Sequence, residues 1–187
     1  DWYALIEVVA GGGPEAVEAA LVEAMERNLV KDAIVAKSAA ETEALWRLRH
    51  SISEAQKPEG ACLKHDIAVP IGEIARFLER GEALVGQMQP EARLVAFGHV
   101  GDGNLHYNVV LPRDLGPDEW QQEGERITRA VYDLVSELGG SFSAEHGIGQ
   151  SKKAWLPEYR GGTEFEVMQM VKKTLDPANI LNPGKLF

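Results

Sequence analysis

The chain has 187 residues, a formal net charge of −10, and 44% hydrophobic against 26% charged residues. This length suits one domain with a sizeable core, and the acidity, with no basic cluster interleaved with aromatics, argues against nucleic acid as a partner. The single cysteine, Cys62, excludes an internal disulfide and a cysteine-rich zinc site. No apolar run spans a bilayer and no signal peptide is visible, which points to a cytoplasmic or peripherally membrane-associated protein.

Residues 3–9 read as a strand broken by Gly11-Gly12-Gly13. The chain opens at Asp1 and enters this run at once, so an excised domain is expected. Pro14 suits a first helical turn, and Val17, Leu21, Ala24 and Leu29 mark the apolar face behind it. Residues 33–36 read as a short strand. Ser38 with Glu41 forms a capping box before a helix whose core stripe is Leu45, Leu48, Ile52 and Ala55. Residues 62–69 alternate, with Leu63, His65, Ile67 and Val69 on one side, and Pro70 closes the strand. A helix follows through Ile74, Phe77, Leu78 and Leu84, then a hairpin, then a helix over 120–138 stopped by Gly139-Gly140. A short strand over 141–144, a helix over 165–175 and a turn-rich tail from Asp176-Pro177 complete the chain. Helices alternate with strands that include a hairpin. The expected fold is α+β over residues 1–187: an antiparallel or mixed sheet covered by helices, two-layer and ferredoxin-like in character.

The hairpin carries the first candidate chemistry. Asp102-Gly103 is a favoured two-residue loop, which sets His99 against His106. Opposed side chains sit about 5 Å apart on one sheet face, a spacing at which two imidazoles share a metal ion. Asn108 lies on the same face. Neighbours in an extended chain point to opposite faces, so of Glu145 and His146 one completes a His-His-carboxylate set and the other stands beside it. Taken alone, that pair also reads as a capping glutamate and an exposed histidine. The helical neighbours of Arg49 are Leu45, Trp46, Ile52 and Ser53, none of them acidic, and Lys64 lies on the strand face opposite Leu63 and Ile67. Spacing alone makes these cations a solvated surface, whereas on one polar surface they suit a substrate carboxylate. His65 reads as a core histidine, and Gly101-Asp102-Gly103 is not a phosphate loop, because no helix follows it.

Three segments together resemble a known family: Phe-Gly-His-Val-Gly-Asp-Gly-Asn-Leu-His at 97–106, Ala-Glu-His-Gly-Ile-Gly at 144–149 and Asn-Pro-Gly-Lys at 182–185. They are similar to the C-terminal domain of FAD-linked 2-hydroxy-acid oxidases and dehydrogenases of the vanillyl-alcohol-oxidase type. This group includes D-lactate and D-2-hydroxyglutarate dehydrogenases and the flavin subunit of glycolate oxidase. The likeness runs over essentially the whole chain. It implies an N-terminal FAD-binding domain outside this chain and oxidation of a small-molecule 2-hydroxy acid by hydride transfer to flavin. It also implies a downstream electron acceptor and is compatible with an oligomer. The resemblance assigns a divalent metal, zinc, to His99, His106 and Glu145, and the role of base to His146. It raises Arg49, Ser53 and Lys64 to substrate contacts, with Asn108 of the histidine face as a further candidate, although Ser53 stands where some relatives carry threonine. Asn182 and Lys185 are its candidates for cofactor contact. The chain alone is expected to be inactive. Two other classes compete: a metal-dependent hydrolase, which would turn over without flavin, and a non-catalytic small-ligand module, indifferent to loss of its histidines.

Overall fold

In the computed structural model, which describes residues 2–8 and 13–187, the chain divides into two units, Asp1–Glu59 and Gly60–Phe187. The first unit holds helices α1 (Gly13–Glu26) and α2 (Ala39–Ala55). Ser38 caps α2 as its sequence suggests: the hydroxyl accepts the Glu41 N–H at 3.3 Å, and the Glu41 carboxylate accepts the Lys37 N–H at 2.6 Å. The strands expected over 3–9 and 33–36 are not formed; residues 2–8 and 32–37 are irregular, and Val9 lies outside the described residues. Both are short apolar runs, and no ladder partner for either stands among the described residues. Without one, a β-prone run stays irregular.

The second unit is built on β1 (Cys62–Ala68), β2 (Arg93–His99) and β3 (Asn104–Val110), in the antiparallel order β1-β3-β2. Helix α3 (Ile74–Met88) connects β1 to β2, and α4 (Pro117–Glu137) follows β3. After α4, Ser141 makes an isolated antiparallel bridge to Ala68, where a full strand over 141–144 was expected. With that bridge the spatial order is Ser141, β1, β3, β2, the arrangement of a ferredoxin-like βαββαβ unit whose last strand has shrunk to one residue pair. The α+β two-layer fold is therefore as expected.

Alternation in β1 and β3 gives the sheet two unlike faces. Leu63, Ile67, Leu105, Tyr107 and Val109 pack with Phe77 and Val85 of α3 and with Ile127, Val131 and Val135 of α4 into one core. His65 belongs to that face and is 1% exposed. Its Nδ1–H donates to the Tyr107 carbonyl at 2.8 Å and its Nε2 accepts the Thr128 hydroxyl at 3.0 Å, so both ring nitrogens are satisfied. The opposite face carries Lys64, Asp66, Asn104, His106 and Asn108.

Beyond α4 lie the short helices α5 (Gly149–Lys152) and α6 (Leu156–Tyr159), then α7 (Thr163–Leu175). The first two were not legible from periodicity, since four residues hold barely one turn. Among the described residues no helix is long and apolar enough to cross a membrane.

Candidate metal and substrate site

The hairpin exists, but its register differs from the one the Asp-Gly pair suggested. Residues 100–102 form a 3₁₀ turn, and Gly103 takes a left-handed φ of 70° with its N–H on the Val100 carbonyl. The loop thus consumes four residues, not two. His99 pairs with Asn104, and it is Phe97 that faces His106. A slip of two preserves the side-chain face, so His99 and His106 still share it, one step apart along the sheet. The turn is fixed from outside: Gly103 O accepts the Val69 N–H at 3.0 Å, and a Cβ on Gly103 would lie 2.0 Å from the Val69 carbonyl oxygen.

Glu145 and His146 lie in an irregular loop rather than in extended chain. Their side chains are consequently not forced apart, and both turn toward β3. Glu145 Oε1 is 3.6 Å from His99 Nε2, and its Oε2 is 3.6 Å from His106 Nε2. The His146 ring stacks on the His106 ring with centroids 5.5 Å apart. At 3.6 Å both pairs lie beyond direct hydrogen-bond distance. Donor atoms of Asp66, His106, Glu145 and His146 all lie within 4.8 Å of one another; His99 meets this group through Glu145.

Asp66 carried no role in the sequence reading, yet it is the most connected side chain of the site. It is 4% exposed. Its carboxylate accepts N–H bonds from Ala144 at 3.2 Å, Glu145 at 3.1 Å and His146 at 2.9 Å, and from the Asn104 amide at 3.1 Å. Lys152, itself buried, places Nζ 3.5 Å from Asp66 Oδ2, 3.2 Å from the Asp66 carbonyl oxygen and 3.2 Å from Ser143 Oγ. Burial pushes the Asp66 carboxyl pKa up. The N–H groups of His146 and Glu145 and the Lys152 charge outweigh that push and hold it at about 2. Burial lowers the Lys152 pKa, and Asp66 partly offsets the effect. One signal could have found Asp66: it is an acid two residues from Lys64, hence on the same strand face. Lys152 offered no such signal.

Of the remaining predicted residues, Lys64 pairs with Asn108 across β1 and β3, on the face of His106; Lys64 is exposed and Asn108 buried. Arg49, half-buried, and exposed Ser53 lie one turn apart on α2 of the first unit. Asn182, at φ 50°, is exposed and Lys185 half-buried in the turns after α7.

Residues 1–186 match the family model described as FAD linked oxidases, C-terminal domain. The chain is 37% identical over 188 residues to a D-2-hydroxyglutarate dehydrogenase of Stutzerimonas stutzeri, which covers 100% of the chain and 40% of that protein. It is 38% identical over 190 residues to one of Xanthomonas citri pv. viticola, again 100% of the chain and 40% of that protein. A D-lactate dehydrogenase of Anaerostipes hadrus is 33% identical over 186 residues, 97% of the chain and 38% of that protein. The chain thus spans about 40% of the length of these relatives. With its two sequence motifs gathered on one sheet face and the family model matched almost end to end, the chain belongs to the FAD-linked oxidases as a C-terminal domain.

Proposed function

We propose that this chain is the substrate- and metal-binding domain of an FAD-dependent oxidoreductase that converts a D-2-hydroxy acid to the 2-oxo acid by hydride transfer to flavin. The observation that carries the reading is the convergence of His99, His106, Glu145 and His146 beside a polar sheet face in a member of this family. His99, His106 and Glu145 are the proposed ligands of one divalent ion, and their two-nitrogen, one-carboxylate set suits zinc. When bound, that ion supplies Lewis acidity toward the substrate's α-hydroxyl. The flavin, held mainly by an N-terminal domain outside this chain, supplies the hydride acceptor.

His146 is the proposed base. Its side chain is 67% exposed, open to substrate, and stacked beside His106. Lys64 and Asn108 donate to substrate carboxylate oxygens from the same face. From the family resemblance, Arg49 and Ser53 of the first unit are carried over as candidate substrate contacts by residue type alone, and Asn182 and Lys185 as candidate cofactor contacts. A downstream electron acceptor completes the turnover. The relatives' names put D-2-hydroxyglutarate and D-lactate first among candidate substrates.

Elemental analysis of the chain after removal of loosely held ions tests the metal assignment. One ion per chain is expected in the wild type and little in His106→Ala; equal content in both would overturn it. In protein carrying the flavin domain, either D-2-hydroxy acid should bleach the flavin under anaerobic conditions. A flavin that neither acid reduces would overturn the oxidoreductase reading.

A further inference from the structure

The loop that carries Glu145 and His146 has no helix or strand to hold it, yet three of its successive backbone N–H groups converge on one buried carboxylate. We propose that Asp66 is a positioning residue: it anchors residues 144–146 so that Glu145 and His146 meet the β-hairpin histidines, without entering the metal's coordination sphere. This rests on the metal reading above.

A carboxylate offers about four lone-pair sites. Asp66 already receives five donors: the backbone N–H groups of Ala144, Glu145 and His146, the Asn104 amide and the Lys152 ammonium. Oδ2 takes the Ala144, His146 and Lys152 contacts and the shorter Glu145 one, and Oδ1 takes the Asn104 amide and a Glu145 contact of 3.3 Å. An ion would have to displace these donors from oxygens that lie 3.9 Å from His106 Nδ1 and 3.8 Å from His146 Nδ1. Glu145 is the opposite case: its two oxygens face imidazole Nε2 atoms at 3.6 Å and its side chain is 43% exposed. Asn104 strengthens the anchor from below, since its amide also donates to the Ile67 carbonyl at 3.3 Å. Asp66 sits at the site as an outer support does, fixing ligands that it does not replace.

The full chain, stripped by chelator, is titrated with Zn²⁺ against a chromophoric competitor and with Co²⁺ followed by visible absorption. Asp66→Asn should weaken Zn²⁺ binding by about 10–100-fold while keeping the wild-type Co²⁺ bands, because the ligand set is unchanged. Affinity within about threefold of wild type overturns the anchoring role, and altered Co²⁺ bands overturn the claim that Asp66 is not a ligand. A measurement on the wild type needs no variant. The amides of Ala144, Glu145 and His146 in the metal-free chain should exchange at least about 100-fold more slowly than unstructured chain. Fast exchange overturns the proposal even if Asp66→Asn fails to fold. Should the wild type bind no metal, the metal assignment falls, while exchange still decides whether Asp66 anchors the loop.

Discussion

His65 makes the stability of the second unit depend on pH. Burial lowers its pKa from 6.5 to about 4, and the Lys152 charge adds to that, against the opposing hydrogen bond to the Tyr107 carbonyl. The folded state holds the neutral ring, with Nε2 accepting from Thr128. As pH falls below 6.5 the unfolded chain binds a proton that the folded chain refuses, so stability is lost with acidification until the folded pKa is reached. With those two values the loss is about 1.4 kcal/mol at pH 5.5 and about 2.5 kcal/mol at pH 4.5. Urea titrations of chelator-treated chain, followed through β3 amide resonances, measure it. His65→Gln removes the titration. It should cost about 1–3 kcal/mol at neutral pH, yet leave a shallower pH dependence. Carboxylates such as Asp66 contribute equally to both proteins, so the difference between the curves belongs to His65. Parallel curves for wild type and His65→Gln between pH 6.5 and 4.5 would refute the assignment of this dependence to the buried ring.

Two further outcomes separate architecture from chemistry. In Gly140→Ala the new Cβ would lie 2.3 Å from the Ala68 carbonyl oxygen and 3.0 Å from that of Val135. Backbone atoms cannot swing aside, so urea titration should show a loss of about 1–3 kcal/mol, accompanied by weaker Zn²⁺ binding; unchanged stability would contradict the close approach. In protein carrying the flavin domain, His146→Asn should keep its metal and lose kcat by about 10²–10⁴, whereas His99→Ala should lose both. Metal loss in His146→Asn would make His146 a ligand, and a kcat within a few-fold would assign proton removal elsewhere.

What the sequence reveals here depends on how local the information is. The α2 cap is written in Ser38 and Glu41, and β1 in the alternation over 62–69; the cap forms as read, and the strand runs over Cys62–Ala68. The core role of His65 followed from that alternation alone. The hairpin was visible, but its loop length was not, because Gly103 is locked by the Val69 N–H, 34 positions away in sequence. The two lost strands failed for a related reason: residues 3–8 and 33–36 have β-prone composition, and strand formation needs a partner that composition does not specify. At the site, the histidines and Glu145 were legible from motifs. Asp66 and Lys152, 86 positions apart, acquire meaning only when α4 brings the chain back to β1.

The C-terminal end of β1 is where these long-range constraints meet. Val69 fixes the hairpin turn that aims His99, and Ala68 pairs with Ser141 through N–H···O bonds of 2.9 and 2.7 Å. Asp66, on the same few residues, captures the loop of Glu145 and His146. Two of the close approaches by glycine, Gly103 to Val69 and Gly140 to Ala68, are to this one segment. The site therefore does not depend on an Asp-Gly turn placing two histidines face to face. It depends on one strand end gathering three distant pieces of chain, and the slip of two residues in the hairpin leaves the histidines on a common face because side chains alternate with a period of two. Substitutions at that strand end should disturb stability and ion binding together, and those at the outward-facing His146 should alter chemistry alone.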